Sequence, residues 1–299
     1  MLLVVAALIV SFVVRASRSA VDQTDGTDQA TTTPRNYESF DVQDADRTRA
    51  VQSAATRMVG TGEPEQIEFG TPLDEAALGD PSGIVYLDVQ EIEQMPELPT
   101  GCELTSGAML VNYAGYPVDK VELDRYLPKT RDMVGDGDGV FVDTDDPDVA
   151  FIGDTRSARY GVSCNAGPIV TAINSYLATV GSQMQAVDIT GETPTQLYAR
   201  VAAGSPVEVW VTISMSDYGS GRMWTTVTES GKEEVYCTNY HAMVLCGYTE
   251  HNVILADPLD TIVVYPKTTF ERIYADRGSR AVVIQQPVQP AQTSQDSQQ

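Results

Sequence analysis

Positive charge is scarce in this sequence. Its 299 residues contain 19 lysines and arginines against 42 aspartates and glutamates, which gives a formal net charge of −23 at pH 7. Such a chain repels the phosphates of nucleic acids and the headgroups of anionic lipids. We therefore expect no DNA or RNA partner. The charge suits a soluble extracellular protein or cationic substrates, and composition does not choose between them.

Cysteine and histidine are also rare. Four cysteines in a chain of this length do not make a disulfide scaffold. No Cys/His pair has the spacing of a zinc site, so we expect neither a metal nor another cofactor. Cys164, Cys237 and Cys246 remain open: a Cys164–Cys237 disulfide and a pair of free buried thiols are both compatible with the sequence.

The N-terminal segment MLLVVAALIVSFVV, residues 1–14, carries no charge. A membrane-spanning helix needs about 20 apolar residues, and a signal peptide begins with a positive segment, so neither pattern is complete. We interpret residues 1–14 as a hydrophobic membrane or export segment whose natural start lies upstream. An apolar first element of the core is the alternative, but the polar chain that follows would have to loop it back. The prediction is an extracellular protein, membrane-anchored or secreted.

Composition divides the rest of the chain into three parts. Residues 15–80 are rich in Ser, Thr, Gln, Asp and Gly and have too few large apolar side chains to offset chain entropy. We predict that they form a disordered polar linker and that residues 287–299 form a disordered tail. Residues 81–286 remain as one folded domain, which is long enough for a single large core.

Apolar periodicity places helices before strands in this domain. Leu104, Ala108 and Val111 recur at helical spacing and predict a helix between Gly101 and Gly115. Residues 168–180 repeat the pattern, and a capping box at 193–196 begins another helix. Alternating apolar runs predict strands at 83–89, 207–213, 223–228, 233–237, 241–248, 252–257 and 261–265, then a helix at 268–276 and a final strand from 281. This order is typical of an α+β fold.

The acidic stretch GDGDGVFVDTDDPD, residues 135–148, resembles a calcium loop only superficially. It lacks the EF-hand spacing, because no glycine follows a D-x-D-x-D run. We expect an exposed acidic loop here.

Cys102 lies at the first turn of a predicted helix, after Pro99-Thr100-Gly101. Unpaired backbone N–H groups and the helix dipole at that position lower the pKa of a thiol, and the same N–H groups can bind an oxyanion. Glu103 opposes this effect somewhat through like-charge repulsion. The alternative is that Cys102 is a small apolar residue on the first buried turn.

A base for this thiol has to come from one of two histidines. His251 falls in a turn between strands, where we expect an exposed loop residue. His241 opens an apolar strand, and Asp257 ends the next one. A hairpin centred near Glu250 would put Met243 opposite Asp257, and alternation then puts His241 and Asp257 on one face. Such a carboxylate would orient the imidazole and stabilise its protonated form. A slip of one residue would separate them.

These residues resemble the bacteriocin-processing (double-glycine leader) peptidase-like family of cysteine peptidases, in particular its stand-alone secreted branch. The resemblance rests on LDVQEIEQMPELPTGCELTSGAMLVNYAGY, HAMVLCGY and ILADPL, which span residues 87–259. The connecting stretches AFIGDTRSARYGVSCNAGPIVTAINSYL and SPVEVWVT are also similar to the family. The implied fold is papain-like, with N-terminal helices packed on an antiparallel sheet.

The resemblance also implies roles for four residues. Cys102 would be the nucleophile, His241 the general base and acid, and Asp257 the group that orients His241. Gln94, otherwise an unremarkable loop residue, matches the glutamine whose amide helps the Cys102 backbone N–H to hold the oxyanion. The implied activity is cleavage of peptide bonds in a protein or peptide substrate, through a thioester.

Two other functions remain open. A cell-wall peptide amidase or transpeptidase of the same fold would use the same side chains. A non-catalytic surface binding domain is favoured if the long polar insertion at 214–234 closes the groove.

Overall fold

The computed structural model describes residues 71–72, 83–130, 134–135, 141–144, 146–157, 161–221, 223–228 and 230–287. The predicted membrane or export segment, most of the predicted linker and residues 288–299 of the predicted tail lie outside these ranges. Within them, no helix has both the length and the apolar character needed to cross a membrane.

Strands and helices follow one another in a mixed order. The strands are β1 (Thr71–Pro72), β2 (Val85–Tyr86), β3 (Val134–Gly135), β4 (Phe141–Thr144), β5 (Gln185–Asp188), β6 (Val207–Thr212), β7 (Met223–Thr228), β8 (Glu233–Cys237), β9 (Tyr240–Tyr248), β10 (Asn252–Ala256), β11 (Ile262–Pro266) and β12 (Ala281–Gln285). The helices are α1 (Cys102–Tyr113), α2 (Lys120–Leu123), α3 (Ala166–Thr179), α4 (Pro194–Ala202) and α5 (Lys267–Asp276). Short 3₁₀ turns occupy Asp124–Tyr126 and Ile213–Met215.

The main sheet has the strand order β1-β11-β10-β9-β6-β12-β5, with β2 also paired to β9. All of these pairs are antiparallel. Every residue of β6 and β10 is buried, because helices cover both faces of the sheet. The central strands therefore read as continuous apolar runs.

Two apolar cores lie on opposite faces of this sheet. Val244 of β9 packs in one core with Leu104 of α1 and Ile173 of α3. Met243, the preceding residue, packs in the other core with Val201 of α4 and Phe270 of α5. Because successive side chains of a strand point to opposite faces, the two clusters are separated by the sheet. The N-terminal helices therefore cover one face, as predicted, and α4 and α5 cover the other.

A smaller sheet with the order β3-β4-β7-β8 stands apart from the main one. Its β4–β7 pair is parallel, and its other pairs are antiparallel. The β7–β8 hairpin accounts for most of the predicted insertion at 214–234. Met223, Val227 and Val235 of this hairpin are exposed.

The α+β class is confirmed, and most predicted elements lie within two residues of their observed bounds. The capping box that begins α4 forms as predicted, with Thr193 and Gln196 exchanging hydrogen bonds. Helix α3 begins two residues before Pro168, because proline is tolerated in the first turn of a helix. Strand β1, upstream of the predicted domain boundary, pairs with β11.

The Cys164–Cys237 disulfide, one of the two states that the sequence left open, is absent, since all four cysteines are free buried thiols. Cys164 packs in the core beside α1 and α3, whereas Cys237 belongs to a small separate cluster with Ile152 and Tyr240. The alternative of free thiols is the one that the structure contains.

Candidate active site

Cys102 is the first residue of α1, and a glycine turn brings the chain to it. Gly101 is the N-cap, and no side chain caps the helix there. The Gly101 N–H donates to the Leu98 carbonyl over 2.9 Å. A Cβ at position 101 would lie 2.7 Å from the Cβ of Leu98, so only glycine fits this turn. The predicted placement of the thiol at a helix start is therefore observed.

An ionic network around the buried Asp124 fixes the residue before this turn. The Thr100 N–H and hydroxyl both donate to the Thr155 carbonyl over 3.3 Å. The Thr155 hydroxyl in turn donates to the buried carboxylate of Asp124 over 2.6 Å. Lys129 and Arg156 pair with the same carboxylate at 2.7 and 2.9 Å. The sequence pattern gives no sign of this support, because its members lie up to 56 residues from Thr100 in the chain.

His241 and Asp257 are brought together. Nε2 of His241 lies 2.7 Å from Oδ1 of Asp257, and both residues are almost fully buried. The Leu259 N–H also donates to Oδ1 of Asp257 over 2.8 Å, which fixes the carboxylate. Because Asp257 occupies Nε2, the other ring nitrogen, Nδ1, is the one left for a further partner. His251 is exposed beside Glu250, as predicted.

The hairpin register that unites this pair contains a β-bulge. Near the turn, Ile254 pairs with Gly247, but the next pair is Leu255 with Leu245. Cys246 is therefore the extra residue of β9. Its carbonyl accepts from the Leu87 N–H over 2.8 Å, outside the hairpin. Beyond the bulge the register runs as predicted and extends to place Met243 opposite Asp257.

Gln94 lies beside the turn that carries Asp257. Its backbone N–H donates to the Pro258 carbonyl over 2.8 Å. Its side chain is buried, and Nε2 donates to the Pro99 carbonyl over 2.8 Å. An amide nitrogen has two N–H bonds, so one remains for another acceptor. Oε1 of Gln94 has no hydrogen-bond partner among the residues that the structure describes.

Lys120 holds the segment that carries Gln94. Its ammonium group contacts the carbonyls of Glu93, Gln94 and Met95, the last two at 3.0 and 3.3 Å. It also pairs with Glu97 at 2.8 Å. The sequence carries no signal for this contact, since Lys120 looks like any surface lysine at the start of a short helix.

The first turn of α1 packs against β9 next to His241. The hydroxyl of Ser106 donates to the Ala242 carbonyl over 3.2 Å. The Cys102 thiol donates to Oε2 of Glu103 over 3.3 Å, and only 7% of the Cys102 surface is exposed. The elements that carry the thiol and the imidazole thus adjoin, but among the described residues the thiol bonds to Glu103 and the imidazole to Asp257, and not to each other.

The predicted lowering of the Cys102 pKa is wrong. Burial raises the pKa of the Cys102 thiol well above its ordinary value, and the charge of Glu103 adds to the effect. Hydrogen bonding to the backbone of Ala242 acts in the opposite direction without reversing it. A helix N-terminus favours a thiolate, but desolvation disfavours any charged form, and here desolvation outweighs the helix.

The stretch predicted as an exposed acidic loop contains β4, and only its end, with Asp146 and Asp148, contributes to a cluster of three carboxylates. Asp146, Asp148 and Glu234 have oxygens within 4.8 Å of one another. Lys232 lies among them, 2.6 Å from Asp148 and 2.5 Å from Glu234. The lysine therefore neutralises part of the charge that a cation would otherwise meet.

Comparisons with known proteins identify the family of this chain. The sequence profile of the family described as Peptidase_C39 like matches residues 86–282. The chain belongs to this family. The match begins before Gln94 and extends beyond Asp257, so it contains all four predicted site residues.

Two relatives that are 32% identical support the membership. The uncharacterized protein YvpB of Bacillus subtilis (strain 168) is 32% identical over 205 residues, which cover 67% of this chain and 75% of YvpB. A crystal structure described as that of a C39-like peptidase from Bacillus anthracis is also 32% identical. The alignment covers 68% of this chain and 97% of that chain, with a TM-score of 0.59. The predicted family and its mixed helix and antiparallel-sheet fold are therefore confirmed.

A more distant solved structure is a double glycine motif protease from the AMS/PCAT transporter, in complex with the leader peptide. It is 15% identical, with 67% of this chain and 91% of that chain covered and a TM-score of 0.36. At this similarity it does not inform the site.

Proposed function

We propose that this protein is a cysteine peptidase that cleaves peptide bonds through Cys102, His241 and Asp257. One observation carries the proposal: a buried imidazole and carboxylate 2.7 Å apart, with the imidazole on β9, the strand to which α1 bonds through Ser106. Burying two titratable groups together is costly unless they interact. Because the chain belongs to a peptidase family, we assign peptide-bond cleavage to this arrangement.

The proposed acylation step uses these three side chains together with Gln94. Nδ1 of His241 takes the Cys102 proton as the sulfur attacks the peptide carbonyl, a C–S bond forms, and the carbonyl oxygen becomes an oxyanion. The Cys102 backbone N–H and the second N–H of Gln94 Nε2 stabilise that oxyanion. Asp257 stabilises the imidazolium. His241 then protonates the leaving amine as the C–N bond breaks, which leaves a thioester.

Deacylation reverses the roles. His241 removes a proton from water, the water oxygen attacks the thioester carbonyl, and the C–S bond breaks to release an acid. The proton returns to the sulfur, so the thiol is restored.

The substrate is a protein or peptide, and we place the protein outside the cell, held by residues 1–14 or secreted. The net charge of −23 favours a peptide over a nucleic acid as the substrate. Surface proteolysis of intact cells, with the full chain detected by antibody, tests the location: loss of signal supports it, and full protection contradicts it.

Product analysis tests the activity. The full chain and its Cys102→Ala variant are incubated with casein and, separately, with purified cell-wall peptides, and the products are identified by mass spectrometry. We expect new peptide termini from casein with the wild type alone. Products confined to the cell-wall peptides, with released or exchanged amines, would assign an amidase or transpeptidase instead. No product from either substrate would favour a binding domain.

A further inference from the structure

Glu103 is a buried carboxylate in direct contact with Cys102. Only 2% of the Glu103 surface is exposed. Oε2 accepts from the Cys102 thiol over 3.3 Å, and Oε1 accepts from the Cys164 N–H over 3.1 Å. Each oxygen of this carboxylate thus has a donor, and one of the donors is the proposed nucleophile.

Glu208 is a second buried carboxylate on the same side of the sheet as α1. It lies on β6 and has no exposed surface. A Cβ on Gly107 of α1 would lie 3.6 Å from Oε2 of Glu208, so the side chain points at the helix. Neither oxygen has a hydrogen-bond partner among the residues that the structure describes. An ionised carboxylate without donors is prohibitively costly in such a place, so Glu208 carries a proton.

The two acids therefore have different charges. Burial raises the pKa of Glu208 well above its usual range, and the charge of Glu103 adds to this. Burial raises the pKa of Glu103 as well, and hydrogen bonds from its own backbone, Cys102 and Cys164 offset part of that rise. Where two carboxylates share a site, the one with donors keeps the negative charge.

Other titratable groups act on Glu103 from the elements packed around it. His241 does so from β9, and its charge lowers the pKa of Glu103. Arg277, the residue that follows α5, is fully buried and interacts electrostatically with Glu103. Cys164, just before α3, and Glu208 of β6 complete the set. Arg277 is thus the permanent cation among these groups, and it favours the ionised form of Glu103.

We propose that Glu103 is a positioning residue that holds Cys102 as a neutral, hydrogen-bonded thiol in the resting protein, with Glu208 as its uncharged companion. The proposal rests on the proposed function in one respect, the role of Cys102 as nucleophile. Attack then requires the S–H···Oε2 hydrogen bond to break. The thiol proton passes to Nδ1 of His241 as the C–S bond forms, and Glu103 is unchanged at the end. The resting state is thus not a thiolate paired with an imidazolium.

The pH dependence of Cys102 alkylation tests this assignment. The full chain is treated with iodoacetamide between about pH 5 and about pH 10, and the Cys102 peptide is quantified by mass spectrometry. The wild-type rate should rise only above the ordinary cysteine pKa of about 8.5. Glu103→Gln removes the negative charge, so it should raise the rate at pH 7 by about tenfold or more, as expected for a pKa lowered by one unit or more.

Two control variants test whether a change in the alkylation rate comes from the charge of Glu103 or from a change in structure. Glu208→Gln replaces a neutral acid by a neutral amide, so its rate should stay within about threefold of wild type. Glu250→Gln removes an exposed charge and should change nothing. A wild-type inflection at or below about pH 7 would overturn the proposal, as would Glu103→Gln reacting no faster than wild type.

A measurement on the unaltered site covers the case in which Glu103→Gln does not fold. The thiolate absorbance of wild type minus that of Cys102→Ala, titrated with pH, gives the Cys102 pKa without changing either acid. A value above about 8.5 supports the proposal, and a lower value contradicts it. Neither readout involves peptide cleavage, so the proposed function can fail while this assignment stands, and the reverse.

Discussion

Nε2 of His241 lies 2.7 Å from Oδ1 of Asp257 because β9 contains one residue more than the hairpin needs. If the pairing of Ile254 with Gly247 continued without interruption, Asp257 would face Val244, whose side chain lies on the other face of the sheet from His241. The extra residue, Cys246, shifts the pairing by one position, so Asp257 faces Met243 and lies on the same face as His241.

Asp257→Asn should leave the fold intact and lower kcat/KM for a cleaved peptide by about 10²- to 10⁴-fold. The amide keeps the shape of the side chain but does not stabilise an imidazolium, and it does not select the same ring tautomer. Steady-state kinetics and a thermal melt measure the two effects. The control is Glu250→Gln, an exposed acid in the same hairpin. Activity within about threefold of wild type would contradict the role of Asp257.

Gln94→Ala should lower kcat by about 10²- to 10³-fold with little change in KM, because an oxyanion donor acts mainly in the transition state. The comparison is Gln94→Glu, which keeps the size but removes the donor, and we expect an equal or larger loss. Wild-type kcat in either variant would show that the Gln94 amide does not contact the oxyanion.

Lys120→Met should destabilise the protein by about 1–3 kcal/mol, because it removes the ammonium donor from the Glu93 and Met95 carbonyls, whereas the Gln94 carbonyl keeps the Leu98 N–H. Chemical denaturation measures this loss, and kcat should fall with it as the Gln94 segment loosens. Glu97→Gln removes only the half-exposed partner of Lys120, so it should cost about 0–1 kcal/mol. Equal losses in the two variants would show that the ion pair, and not the carbonyl contacts, matters.

The raised pKa of Glu91 predicts how the stability of the fold depends on pH. Burial, and then the charges of Glu93, Asp257 and Asp260, raise the pKa of Glu91 from 4.5 to about 7. A carboxyl whose pKa is higher in the folded state stabilises the fold below the unfolded pKa, and this stability is lost as pH rises from 4.5 through about 7.

Removing that carboxyl should make the stability of the fold less dependent on pH in this range. Glu91→Gln should unfold at a higher temperature than wild type at pH 8 and at nearly the same temperature near pH 4.5. Since the Glu91 side chain is only half-buried, the difference at pH 8 is on the order of 1 kcal/mol. Thermal melts across this range measure it, and parallel pH curves for the two proteins would contradict the assignment.

Local pattern was enough to predict the scaffold of the site. The helix that begins at Cys102 follows from its apolar spacing and the glycine before it, and the facing of His241 and Asp257 follows from alternation along two strands. Neither inference requires knowledge of distant residues.

The rest depends on packing between distant segments. Glu208 lies in a run whose alternation would put it in water, but helices cover both faces of β6, so it is buried. The pKa of Cys102 could not be predicted from its helix position, because burial by the surrounding elements is not a local property. Lys120 contacts the Gln94 segment from 26 residues away in the chain.

The covalent state of Cys102 during turnover tests the central claim most directly. The full chain is mixed with a peptide ester, quenched in acid and digested, and the mass of the Cys102 peptide is measured. We predict that the acyl part of the substrate is attached to Cys102 in the wild type, that this adduct accumulates slowly or not at all in His241→Ala, and that it is absent from Cys102→Ala. Substrate turnover by Cys102→Ala at the wild-type rate, with no acyl group found on Cys102 in the wild type, would contradict the account.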